Sequence, residues 1–382
     1  MTWLWDRLAK RIDARPLGVT RIALGIAALL MTIELADSVG HVTDGAHLQI
    51  PVIPGTDWMR GFVATALAAW LVGAILFTIG LWTRPAGMLL VAASAFLFLA
   101  DQQLYSNHLL MLTAFIGLTT LADGGAALSV DARRRGAHTV PAWPVWLVMA
   151  QLTTVYVFSA ISKLNPSFLS GSVLASYFRS DGILALPDSW RSFQLMFVIS
   201  VAVICLELFV AIGLWLPHWR RNAFVGGLAL HAGILATYEA PHFPLLVFGV
   251  ASLAPYVLFL NAAPASKLVI WDRSCDFCQM WIRWGQRLDW LGVLRYAGNE
   301  EEDVLAAHAI TREAADEALH LVDGDGTHVG YDAVRRAAEV LPLTFLWAPL
   351  LGLPPVRWVG HRVYRRVARN RKCTIPRPEP AT

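Results

Sequence analysis

The sequence predicts two fold classes in one chain: an α-helical polytopic membrane bundle of about eight spans, followed by a small α/β domain. Three observations carry this reading. The chain is 56% hydrophobic and only 15% charged, against about 25% charged in ordinary soluble proteins, so its average side chain expects an apolar surrounding. The excess is confined to the part before Asn261, whereas charges recur on every turn from Lys267 onward. Arginines, finally, cluster in alternate loops between the apolar runs, as they do in chains threaded through a bilayer. The expected division is a membrane domain over residues 1–262 and a soluble domain over residues 263–382.

A basic, Trp-rich leader (Trp3, Trp5, Arg7, Lys10, Arg11, Arg15) precedes the first apolar run, and more runs follow instead of a small-residue cleavage site. The leader is therefore expected to be retained. Candidate spans are Leu17 to Ala36, Phe62 to Trp82, Ala86 to Ala100, His108 to Ala122, Val145 to Ile161, Phe193 to Leu216, Ala223 to Tyr238 and Phe243 to Leu260. The third and fourth are short for a hydrocarbon core of about 30 Å, which implies extension at their ends or a thinned bilayer. The leader, Arg84, the Arg133–Arg135 cluster, Arg220 and Arg221 fall on one side together with the C-terminal domain. By the positive-inside rule both termini, and the domain with them, are expected in the cytoplasm of a cell-membrane protein. The loops Asp37 to Gly61 and Ser162 to Ser192 then face outward.

Past Pro264 the pattern becomes a strand (Leu268 to Trp271), a helix (Asp276 to Leu288), a strand (Val293 to Tyr296), an acidic helical stretch from Glu300, and a hairpin around the Asp-Gly-Asp-Gly turn at residues 323–326. Cys275 and Cys278 stand where the first strand hands over to the helix, a position that favours a thiolate. Zinc would need four ligands, and no second Cys-x-x-Cys or nearby His pair is present, so a redox-active dithiol is expected and no metal. The run Val356 to Lys372 mixes arginines with Val, Trp and Tyr; it reads as a basic C-terminal helix on an anionic membrane surface or as a solvated tail. A net charge of +3 gives no reason to expect nucleic acid as a partner.

Charged residues at membrane depth cost at least about 2.5 kcal/mol and usually face the protein interior. Here they are Arg21, Glu34, His108, Lys163, Glu207 and His231. Arg21 and Glu34 lie near the ends of the first span and read as snorkelling side chains. Glu207 and His231 lie mid-span, where a buried polar pair or a ligand contact is the better reading. Lys163 is the one lysine bordering an apolar run, and lysine, unlike arginine, can shed its proton when desolvated and so serve as a base. A snorkelling lysine at 163 and a satisfied structural histidine at 108 are the competing readings.

The segment Val155-Tyr-Val-Phe-Ser-Ala-Ile-Ser-Lys163-Leu-Asn-Pro-Ser-Phe-Leu-Ser-Gly171 resembles the catalytic segment of the vitamin K-dependent gamma-carboxylases, members of the HTTM superfamily. Asp13-Ala-Arg-Pro-Leu-Gly-Val-Thr-Arg21, Ser106-Asn107-His108 and Ser129-Val130-Asp131 extend the resemblance, with Glu207 and His231 at matching positions. It implies Lys163 as catalytic base with His108 as its partner, Asn107, Glu207 and His231 at the cofactor, and a reduced quinone, a vitamin K-like hydroquinone, as that cofactor. Where the family has a second lysine this chain has Ser162. The soluble domain resembles the DCC thiol-disulfide oxidoreductases through Val269-Ile-Trp-Asp-Arg-Ser-Cys275-Asp-Phe-Cys278, Leu321-Val-Asp-Gly-Asp-Gly, Gly330-Tyr-Asp-Ala-Val-Arg, Leu353-Pro-Pro-Val and Tyr364-Arg-Arg-Val-Ala-Arg-Asn-Arg. That implies a thioredoxin-like α/β fold, catalytic Cys275 and Cys278, and a cytoplasmic thiol partner. Arg273 stands for the family's usual glycine, and no proline occurs between Pro264 and Pro342. The combined expectation is an oxidoreductase or carboxylase-like enzyme in contact with the lipid bilayer and a quinone. The alternatives are a membrane-anchored thiol-disulfide oxidoreductase, or a non-catalytic peptide-maturation partner, with the bundle as scaffold.

Overall fold

The computed structural model describes residues 8–48, 55–136, 138–178, 186–237, 243–260 and 266–370. Trp3, Trp5 and Arg7 of the leader, Arg179, Tyr238, Lys372 and Cys373 lie outside the described residues. Two compact units divide the chain, Met1–Leu260 and Asn261–Thr382.

In the first unit each apolar run is helical. The helices are α1 (Arg15–Thr43), α2 (Val63–Ile79), α3 (Thr83–Ala100), α4 (Asn107–Leu121), α5 (Ala142–Ser162), α6 (Phe193–Gly213), α7 (Arg220–Thr237) and α8 (Phe243–Leu253). Helices α1, α3, α5, α6 and the segment Asp57–Ile79 are long and apolar enough to cross a membrane, while α4 and Phe243–Phe259 are shorter apolar helices. By that measure the described residues hold five spans, and the expected eight are not reached.

Helix α1 is longer than its apolar run. The Asp13 carboxylate accepts the Arg15 amide at 2.7 Å and Pro16 stands in the first turn, so the start is pre-set; the far end continues through polar Asp37 to Thr43, so this stretch, expected in a loop, is helical. Helix α1 packs against α2, α4 and α8, α3 against α2 and α4, and α6 against α5 and α7. A short antiparallel pair, β1 (Arg11–Asp13) with β2 (Thr139–Pro141), joins the beginning of α1 to the beginning of α5.

Arg21 does not snorkel. Its side chain is fully buried, and its guanidinium donates to the carbonyls of Phe77 (2.6 Å), Thr78 (2.9 Å) and Leu128 (2.6 Å). These carbonyls sit at the end of α2 and in the turn past α4, so one charged group satisfies backbone acceptors that the helix end leaves over. Gly80 caps α2 with φ of +72°, and a Cβ there would strike both Arg21 and Ser129. Only glycine suits that position on both counts.

The second unit is a four-stranded sheet with helices on both faces. Its strands are β3 (Lys267–Trp271), β4 (Leu294–Gly298), β5 (His320–Asp323) and β6 (Gly326–Val329), in the order β4-β3-β5-β6. Strand β3 runs parallel to β4 and antiparallel to β5, and β5 and β6 form the expected hairpin. The parallel β3–β4 connection requires a crossover helix, supplied by α9 (Asp276–Leu288). Val269, Trp271 and Leu321 pack with Ile282 of α9 and Ala333 of α10 (Tyr331–Ala338) on one face. Leu268 and Ile270 meet the short helices Glu302–Ala307 and Arg312–Glu317 on the other. The chain ends its described part in α11 (Pro354–Asn370).

Replacing Arg21 by Met removes three charge-assisted hydrogen bonds and orphans their acceptors, a loss on the order of 3 kcal/mol. The expected outcome is a clearly lowered melting temperature of the detergent-solubilised protein, followed by tryptophan fluorescence. An unchanged melting temperature would contradict the role given to Arg21.

Candidate functional site

Lys163 is the residue at which α5 ends. Its ammonium donates to Glu207 Oε1 at 2.9 Å, to Ser159 Oγ at 2.6 Å and to the Ser159 carbonyl at 3.3 Å, with its Nζ 5.8 Å from the centroid of the Phe168 ring. Ser159 completes the triangle by donating to the same Glu207 oxygen at 2.8 Å. Glu207 projects from α6 and is only 4% exposed, while the Lys163 side chain keeps 23% of its surface open. The other carboxylate oxygen, Oε2, is buried and accepts no hydrogen bond among the described residues. A buried acceptor left without a donor costs about 1–3 kcal/mol, so this oxygen marks a place where a donor belongs.

Two turns earlier on the same face of α5, the Tyr156 hydroxyl lies 2.9 Å from His231 Nε2 and 2.7 Å from the Tyr256 hydroxyl. His231 comes from α7 and Tyr256 from the turn Ala254–Phe259 that follows α8; all three are buried. Gly227, one turn before His231, leaves the space that the Tyr256 hydroxyl fills, since a Cβ there would collide with it. The Tyr156 to Lys163 spacing thus strings a tyrosine–histidine–tyrosine cluster and a lysine–serine–glutamate cluster along one helix.

His108, at the start of α4, has a different acid. Its Nε2 lies 2.7 and 2.9 Å from the two oxygens of Glu34 on α1, and 3.2 Å from Ser106 Oγ. Glu34 therefore ends in an ion-pairing geometry inside the bundle rather than reaching outward, and the expected pairing of His108 with Lys163 is not among the hydrogen bonds of either residue. Asn107 accepts from the Tyr105 hydroxyl at 2.9 Å. Sequence reasoning singled out Lys163, Glu207, His108 and His231 but missed Ser159, Tyr156 and Tyr256. Their spacing of four and seven residues from Lys163, one and two helical turns, was a signal for the first two; Tyr256 had none.

In the second unit, Cys275 is the residue from which α9 starts, its carbonyl accepting the Gln279 amide at 2.9 Å. Cys275 is fully buried, and Cys278 is half-buried against the face formed by Val269, Trp271 and Leu321. The turn before them is built on Asp272, only 2% exposed, whose Oδ1 accepts from the Ser274 amide (3.0 Å), the Ser274 hydroxyl (2.6 Å) and Asn299 Nδ2 (3.3 Å). Asn299, which follows β4, also takes the Arg273 amide at 3.1 Å and so ties the cysteine loop to the neighbouring strand. Arg273, in the place of a glycine, turns outward to Glu300 (2.5 Å) and Glu301 (3.0 Å).

Just before β5, the Leu319 amide donates to the Tyr364 hydroxyl of α11 at 2.9 Å. A proline could not make that bond. Among the described residues no group of three or more His, Cys, Asp or Glu side chains is placed to hold a metal ion.

A bundle of membrane-length apolar helices, followed by a strand-to-helix turn bearing two cysteines, defines the class: a multi-pass membrane protein with a thiol redox domain. The comparisons agree. Residues 9–263 match the HTTM domain, and the chain belongs to that family; residues 269–374 match the DCC1-like thiol-disulfide oxidoreductase domain. No solved structure matches the chain.

His320 opens β5 next to the Leu319–Tyr364 contact and is 5% exposed. Burial holds its imidazole below the ordinary value, only partly opposed by its bond to the Ala318 carbonyl. The unfolded chain therefore takes up a proton near pH 6.5 that the folded domain refuses, and stability falls as pH drops below that value. Hydrogen exchange of β5 should speed up between pH 7.5 and 5.5 after correction for intrinsic rates, and the pH-dependent part should vanish in His320→Leu. A pH-independent opening of β5 in the native protein would show the imidazole to be uncoupled from folding.

Proposed function

We propose that the chain is a membrane enzyme in which the Lys163–Glu207 pair performs proton abstraction on a reduced quinone, the cofactor that its resemblance to the vitamin K-dependent carboxylases implies, with Glu207 rather than Lys163 taking the proton. One observation carries this reading: Glu207 Oε2 is buried beside the Lys163 ammonium with no described donor. The residues fit a hydroxyl-bearing ligand, because buried Oε2 can only accept, Lys163 Nζ can only donate, and the Lys163 side chain keeps part of its surface open. When bound, a reduced quinone supplies an acidic O–H and a pair of electrons. Glu207 Oε2 takes the hydrogen bond and then the proton. The Lys163 ammonium, fixed by Ser159, holds the negative charge that the loss of that proton creates. Lysine thus acts as the cation beside the base Glu207, and His108 is paired with Glu34.

In this reading the Asn261–Thr382 unit has the thioredoxin arrangement, with β3-α9-β4 followed by a β5–β6 hairpin and α10, and its dithiol serves a cytoplasmic thiol partner. The arginine-rich loops favour a cytoplasmic position for both termini in the cell membrane. Eight spans would then be made up of the five long helices together with α4, α7 and α8. Thiol exchange requires contact between sulfur atoms, so the dithiol and the Lys163 pair act separately. The second reading makes the bundle a scaffold for the oxidoreductase or for a peptide-maturation partner; it is favoured by the DCC1-like match, whose description names a chemistry.

Binding of a reduced menaquinone analogue to the purified full chain separates the two. Glu207→Gln, which places a donor where an acceptor is needed, and Lys163→Met should each weaken binding by about tenfold or more. Cys275→Ser with Cys278→Ser should leave it unchanged. Equal affinity in all variants would remove the quinol reading and leave the scaffold; loss of binding in the cysteine variant would join the two sites into one.

A further inference from the structure

Helix α11 is held to its domain by one face. The Tyr364 hydroxyl receives the Leu319 amide, Arg357 and His361 both reach the Asp332 carboxylate, at 3.0 and 3.4 Å, and a Cβ at Gly360 would strike the Tyr331 ring. The remaining surface of the helix is open and has two parts. Val356, Val359, Val363 and Val367, spaced by three and four residues, form an exposed apolar stripe. Arg362, Arg365, Arg366 and Arg369 form an adjoining basic face and line one concave patch.

No Asp or Glu occurs between Pro354 and Asn370, and no carboxylate among the described residues pairs with those four arginines. Trp358, more than half exposed, lies under the Arg362 guanidinium at 3.4 Å, the pairing of an aromatic ring and a cation found at membrane interfaces.

We infer that this open half of α11 is a docking surface for an anionic phospholipid bilayer, with the valines entering the headgroup–acyl boundary and the arginines engaging phosphates. Charge complementarity selects the occupant. Four unpaired arginines bordering an apolar stripe match a surface that is negative at its plane and apolar beneath. An apolar protein groove would leave the arginines uncompensated, and a nucleic acid would leave the valines in water. Chain connectivity points the same way. The same chain carries, before residue 261, helices long and apolar enough to cross a membrane, so a bilayer is a surface that this domain meets. Because α11 also receives the Leu319 amide at the start of β5, in the sheet whose strand β3 leads to the cysteines, a helix pinned to lipid would fix the orientation of the dithiol toward partners in solution. This inference stands on α11 alone and does not depend on the quinol reading.

The test uses the full chain in nanodiscs of phosphatidylcholine, alone or mixed with phosphatidylserine, with hydrogen exchange of residues 354–370 compared with the helix Arg312–Glu317 as reference. Phosphatidylserine should slow exchange of residues 354–370 by about tenfold or more and leave the reference unchanged. Arg365→Glu with Arg366→Glu should abolish the slowing, and Val359→Ser with Val363→Ser should reduce it. All four positions are exposed, and native exchange of β3 and β5 confirms that each variant is folded. Equal exchange in the two lipids overturns the proposal. So does a slowing that survives charge reversal, or one reproduced in phosphatidylcholine discs by a soluble oligonucleotide.

Discussion

An ionised group inside an apolar bundle must find its compensation within the protein, because no water is present to supply it. The membrane unit meets this constraint in three ways. Arg21 is answered by the carbonyls of Phe77, Thr78 and Leu128, a solution that also ties α1 to the end of α2. Glu34 and His108 answer one another across α1 and α4. Lys163 and Glu207 do the same across α5 and α6, with Ser159 between them. The first two arrangements fasten helices together. The third leaves one carboxylate oxygen over, and that difference separates a structural pair from a site able to receive a ligand.

The cluster of Tyr156, His231 and Tyr256 extends the same logic without charge. Three polar groups from three elements satisfy one another at 2.7 and 2.9 Å, and Gly227 provides the room. Such a network is specific because each member has lost its alternatives in solvent. It ties α5 to α7 and to the turn Ala254–Phe259 at the level of Tyr156.

The redox domain shows how departures from a family pattern are absorbed. Arg273 is accommodated by turning its guanidinium to Glu300 and Glu301 while its amide remains on Asn299. No proline stands before β5, and the Leu319 amide there donates to Tyr364, which ties the C-terminal helix to the start of that strand. Its contribution is one of position, made through backbone hydrogen bonding instead of a fixed φ.

Much of this was legible in the sequence, since local rules govern it. Apolar runs placed the helices α1 to α8, and strand and turn chemistry placed α9 at residues 276–288 and the hairpin around residues 323–326. The rarity of charge within apolar runs drew attention to Lys163, Glu207, His108 and His231. What could not be read were the partners, because a pairing between distant helices depends on their rotation and relative height, which periodicity leaves open. Sequence alone therefore read Arg21 as snorkelling and matched Lys163 with His108. The tertiary structure buried Arg21 among carbonyls, gave His108 to Glu34, and gave Lys163 to Glu207, since packing brings each buried charge to the nearest group able to compensate it.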